Sequence, residues 1–139
     1  MIDLHSPGLL RRVLWLDAVT CAAMGILMSL AASPLAALTN LPTALLTYAG
    51  LALFPVAAFI ALIGSRVAIP AAGVWIVVLG NAAWSLASLA LLADQRVSPN
   101  TLGIAFVLIQ AVAVALLAEL EYIGLKTVGL KNSSAKATI

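Results

Sequence analysis

Charged side chains punctuate this chain at long intervals, and the stretches between them are apolar throughout. No Asp, Glu, Lys or Arg occurs in the 48 residues between Asp17 and Arg66, in the 27 from Val67 to Ala93, or in the 22 from Val97 to Ala118. A hydrocarbon layer about 30 Å thick is crossed by about 20 apolar helical residues. A charge at its centre costs at least ~2.5–3.5 kcal/mol. The pattern predicts an all-α integral membrane protein built as a four-helix transmembrane bundle, with spans over 13–32, 43–64, 71–93 and 101–122.

The breaks between spans carry their own signals. Ser33-Pro34 and Asn40-Leu41-Pro42 interrupt the first apolar run, because proline lacks a backbone donor and biases the residue before it away from helix. Ser65-Arg66 with Pro70 reads as a tight turn, and Asp94–Asn100 as the one strongly polar loop. Asn100 is placed to cap the last span. The segment between Ser33 and Pro42 keeps Leu35, Leu38 and Leu41 and reads as a loop resting in the membrane interface, with a short re-entrant segment as the alternative. Arg11 and Arg12 followed by apolar residues and Ala31-Ala32-Ser33 have the outline of a cleaved leader. The apolar run is too long for one and contains Asp17, so it reads as the first span.

Composition adds little to this picture except by exclusion. Hydrophobic residues make up 64% and charged residues 9%, against a usual ~45–50% and ~25%. The chain thus divides into an N-terminal segment 1–12, a transmembrane domain 13–125 and a tail 126–139 that reads as disordered. One cysteine, Cys21, rules out an internal disulfide, and one histidine, His5, rules out a bis-histidine haem or a His-based metal cluster within one chain. No cofactor and no metal is expected. Basic residues are scattered, without the clustered basic face and stacking aromatics of a nucleic-acid binder.

The cations set an orientation. Arg11, Arg12, Arg66, Lys126, Lys131 and Lys136 fall on one side of the predicted spans and only Arg96 on the other. Cytoplasmic loops carry the Lys and Arg excess, so both termini are expected in the cytoplasm.

Few residues are candidates for chemistry. On the third span Asn81, Trp84, Ser85 and Ser88 share a helical face. Asn81 and, on the fourth span, Gln110 stand at matching depths, which predicts that the two amides bond to each other; the competing reading makes them the floor of a polar ligand site. Asp17 sits inside the first span, and Glu119 and Glu121 at the end of the fourth, on the side of Arg11, Arg12 and Arg66. Ionisable residues within a span are functional candidates by default, but so shallow a carboxylate is expected to pair with an arginine as an interfacial lock. Asp17, Cys21, Gly25 and Ser29 recur every four residues, as do Ala57 and Ala61, and Ala111 and Ala115. Such small residues predict helix–helix seams.

Three segments carry a family resemblance: Leu10-Arg11-Arg12-Val13-Leu14 with Asp17; Val74-Trp75 through Asn81-Ala82-Ala83-Trp84; and Leu117-Ala118-Glu119-Leu120-Glu121-Tyr122-Ile123-Gly124-Leu125. In these the chain resembles a group of small, functionally uncharacterised four-span proteins of bacterial inner membranes. The resemblance implies a four-helix inner-membrane fold and no activity. Small multidrug transporters share the span number but carry their glutamate in the middle of the first span, where this chain has none. With no nucleophile–base pair, metal cluster or phosphate loop, no enzyme is expected. The expectation is a protein that acts by binding, either as an accessory subunit of a membrane complex or as a binder of a lipophilic small molecule. Its surroundings would be the lipid bilayer, as a homodimer or in a larger assembly. The alternative is a small dimeric transporter or channel using Asp17, Glu119, Asn81 and Gln110.

Overall fold

The computed structural model describes the backbone of residues 8–137 and the side chains of residues 8–129. His5 and the side chains of Lys131 and Lys136 lie outside those residues. Five helices follow one another: α1 (Leu9–Leu30), α2 (Ala32–Thr39), α3 (Thr43–Ser65), α4 (Ala71–Ala93) and α5 (Thr101–Ala137). Among the described residues there are no strands. Four of the helices, α1, α3, α4 and α5, are long and apolar enough to cross a membrane, as a multi-pass membrane protein requires.

Local chemistry explains the boundaries. Pro42 and Pro70 hold extended backbone conformations immediately before α3 and α4, where a missing N–H costs nothing. Asn40 ends α2 in the left-handed region, at φ 56°, one of the few non-glycine residues that tolerates it. Asn100 caps α5 as its position predicts, its Oδ1 accepting from the Gly103 N–H at 2.9 Å. Arg11 donates to the Gly64, Arg66 and Val67 carbonyls at 2.7, 2.8 and 3.2 Å. A cation thereby closes the C-terminal end of α3, where unpaired carbonyls and the helix dipole favour it.

Three boundaries differ from the sequence reading. The first span starts at Leu9, so Arg11 and Arg12 belong to its first turn. The connector over 33–42 is not an open loop: most of it is α2, with Pro34 in its first turn, where proline is tolerated. The last helix runs on through Ala137, so the tail after Lys126 continues the helix, while the apolar span ends at Gly129.

The helices pack as two close pairs, α1 against α3 and α4 against α5, joined chiefly through α1 and α5. The first pair crosses where glycines meet. A Cβ on Gly50 would lie 2.8 Å from the Ser29 backbone nitrogen, and one on Gly25 3.0 Å from the Gly50 carbonyl. This is the seam that Gly25 and Ser29 predict, made possible by backbone-to-backbone approach. At the Asn100 end α2 is tied to the start of α5: Asn100 Nδ2 donates to the Leu38 carbonyl and Asn40 Nδ2 to that of Ser98, at 2.8 and 2.6 Å. Gly103 packs directly on the Thr39 carbonyl, leaving no room there for a side chain. Leu10, Leu14, Leu46, Ile60 and Val74 form the most deeply buried part of the core. Outward faces are apolar too, with Leu86 and Ile109 68% and 70% exposed, the arrangement expected where the surroundings are hydrocarbon.

Candidate functional site

Three polar side chains from three helices converge inside the protein. Asp17 of α1 and Glu121 of α5 are each 0% exposed, and Asn81 of α4 is 5% exposed. Asp17 lies eight residues into α1, about 12 Å from its start at 1.5 Å per residue. Asn81 lies ten residues into α4, about 15 Å. The cluster is therefore well inside the spans, toward the end that carries Arg11.

Asn81 is the hub. Its Nδ2 donates to Asp17 Oδ2 at 2.7 Å and faces Glu121 Oε2 at 3.3 Å. Two hydrogens on one amide nitrogen serve two acceptors, which fixes the orientation of the amide. The Cys21 thiol, one turn along α1, donates to Asp17 Oδ1 at 3.4 Å. Ser85, one turn along α4, donates to the Ala111 carbonyl at 3.0 Å and to that of Asn81 at 3.1 Å, stitching α4 to α5 just beyond the cluster. Glu121 Oε1 is buried with no hydrogen-bond partner.

A cavity of about 620 Å³ opens beside this cluster, with walls from all four long helices. Asp17, Cys21 and Asn81 form part of its wall. Gln110 is the other amide on it, and Trp84, Phe59 and Phe106 supply aromatic surface. The cavity exists because α3 and α4 barely touch while each is held firmly by its own partner helix. Its lining residues sit at mid-height on the helices, Leu53–Ile60 on α3 and Ile76–Trp84 on α4.

Two expectations are corrected here. Asn81 bonds to Asp17 and Glu121 and not to Gln110, which faces the cavity instead. Asp17 is no interfacial lock: its partners are Asn81 and Cys21, while Arg11 is engaged with the end of α3 and Arg12 is exposed. Glu119 and Glu121 separate completely. Two residues apart on a helix means about 200° of rotation, so Glu119 is exposed and Glu121 buried.

Glu121 was within reach of the sequence. Gly103, Val107, Ala111, Ala118, Glu121 and Gly124 are all buried, at spacings of three, four and seven that define one face. A carboxylate on the small-residue face of a span, rather than at its end, is the signal that singles it out. Tyr122, beside it, turns away to meet the Trp75 ring at 5.6 Å and to lie under the Lys126 ammonium at 4.6 Å, a cation–π contact. No protein-family model, curated protein or solved structure matches the chain, so the functional reading rests on this geometry.

Proposed function

We propose that this protein is a four-helix membrane bundle that binds a lipophilic small molecule in the cavity between its spans. The observation that carries the reading is the cavity: about 620 Å³, within the ~300–1,000 Å³ of small-molecule sites. Its wall is apolar and aromatic, with a few polar groups, Asp17, Asn81 and Gln110, gathered on it. Such a wall suits a ligand with a large apolar body and one polar head. The lining lies at mid-height on helices that suit a bilayer, so a ligand would enter sideways, from the lipid. Both termini would face the cytoplasm of a bacterial inner membrane. Arg11, Arg12, Arg66 and Lys126 at one end against Arg96 at the other support that orientation.

The test uses the protein extracted in mild detergent and weighed intact by native mass spectrometry. Gly80 is on the cavity wall, and a side chain built there would meet nothing within 4 Å. Gly80→Phe therefore fills the cavity without disturbing the packing. The wild type is expected to carry a bound molecule that Gly80→Phe lacks. A wild type that carries nothing, or an adduct equally present in both, overturns the reading.

A transporter is the second reading, favoured by one observation: Asp17 and Asn81 belong both to the cavity wall and to the buried acid cluster. It requires solute or ion flux in proteoliposomes that Asp17→Asn abolishes.

A further inference from the structure

Among the described residues the acid cluster has no countercharge beside it. Asp17 has both oxygens engaged, by the Cys21 thiol and the Asn81 amide. Glu121 has one long contact to the same amide and an orphaned Oε1, and the shared Asn81 Nδ2, 2.7 Å from Asp17 Oδ2 and 3.3 Å from Glu121 Oε2, sets the two carboxyls side by side. No packed element brings a cation to the pair among the described residues. On α1 these are Asp17 and Cys21, with Arg11 turned to the carbonyls that end α3 and Arg12 exposed. On α4 the facing groups, Asn81 and Ser85, are neutral. On α5 there is Glu121, with Glu119 exposed and Lys126 over the Tyr122 ring. From α3, the cavity's fourth wall, come only Leu53, Pro55, Val56, Phe59 and Ile60, none of them titratable. Two adjacent carboxylates removed from water cannot both keep a full charge unless something positive joins them.

We propose that Asp17 and Glu121 hold one exchangeable proton between them, making the Asp17–Asn81–Glu121 cluster a proton-binding site on the wall of the cavity. A hydroxyl hydrogen on Glu121 Oε1, donated to the Asp17 carboxylate, supplies the missing partner of the orphaned atom and removes one of the two charges. The donor set selects a proton over a metal ion. Asn81 turns its NH₂ group, not its carbonyl, toward both carboxyls, so the place a metal would occupy is already faced by hydrogens. Among the described residues no group of three or more His, Cys, Asp or Glu could hold a metal. Of the two acids, both 0% exposed, Asp17 is the one that borders the cavity. Binding is an O–H bond formed and broken, with no redox partner. This site stands whether or not the cavity holds a lipophilic ligand.

Infrared difference spectroscopy of the full chain in lipid nanodiscs tests it. The carbonyl stretch of a protonated carboxylic acid is expected at neutral pH in the wild type and is expected to be lost in both Glu121→Gln and Asp17→Asn. A wild type without that band overturns the proposal. Survival of the band in either variant also overturns it, because the remaining acid then holds a proton alone. Loss of the wild-type band on adding sodium or potassium ions overturns it in favour of a metal-cation site. Should the variants fail to fold, isotope labelling of the aspartate and glutamate carboxyls in the wild type decides: a band that shifts with neither label does not come from this pair.

Discussion

Replacing Asn81 by alanine removes the only amide among the described residues that donates to the two buried acids, and the distances set the cost. A neutral hydrogen bond between membrane helices is worth ~0.6 kcal/mol on average and ~1.7 at most. A hydrogen bond to a charged group is worth ~1.5–3 kcal/mol. The contact to Asp17 Oδ2 at 2.7 Å has the short length of a charge-assisted bond. The contact to Glu121 Oε2 at 3.3 Å lies just beyond the usual N–H···O range of about 2.7–3.2 Å and adds little. Asn81→Ala should therefore cost about 2–3 kcal/mol, a 30- to 150-fold fall in the folding constant at about 1.4 kcal/mol per decade. Reversible unfolding in mixed micelles measures this directly. A second background separates the acid contact from generic packing. Asp17→Asn brings its own NH₂ group to Glu121, so Asn81→Ala made on top of Asp17→Asn should cost less than about 1 kcal/mol, the neutral-pair value. An Asn81→Ala protein within about 0.5 kcal/mol of the parent would refute the reasoning, since that is the scatter of an inconsequential substitution. An equal cost in both backgrounds would refute it as well.

Two further substitutions probe the packing and the orientation. Gly50→Ala sets a Cβ 2.8 Å from the Ser29 nitrogen and should cost about 1–3 kcal/mol as overpacking, whereas Gly80→Ala, with open space around it, should gain up to about 1 kcal/mol of helix propensity; equal effects in thermal unfolding would mean α1 and α3 do not cross at Gly50. In a Cys21→Ala background, a cysteine at Ser98 should react with a membrane-impermeant thiol reagent in intact cells, and one at Val67, which is 99% exposed at the opposite end, only after lysis. The reverse pattern would invert the topology.

The four long helices were legible because charge spacing and length are one-dimensional properties, and the bilayer constrains little else. Asn100 was legible as a cap because its role depends on a residue three positions away. What the sequence could not order was rotation. Depth along two helices places Asn81 and Gln110 at one level, but each residue turns the helix by about 100°, and facing depends on how whole helices pack. Gln110 turns to the cavity while Asn81 turns to Asp17 and Glu121. The same limit hid α2: eight residues rich in alanine and leucine with a serine–proline step near their start fit an interfacial loop as well as a short helix, and it is the tie from Asn100 to the Leu38 and Thr39 carbonyls that decides.

Asp17 shows why local reasoning about acids in membranes misleads. Cations are plentiful within two turns of it, and pairing with one looks like the cheapest outcome. Yet Arg11 is drawn to the open end of α3, where three carbonyls accept from one guanidinium. A planar fork that satisfies several unpaired carbonyls at a helix terminus competes well with a single carboxylate two turns deeper. Once Arg11 is committed there, α1 brings Asp17 to Asn81 and Glu121 with no cation beside it among the described residues. The two features are one arrangement: capping α3 with Arg11 is what leaves a pair of buried acids in want of a positive charge beside an apolar cavity.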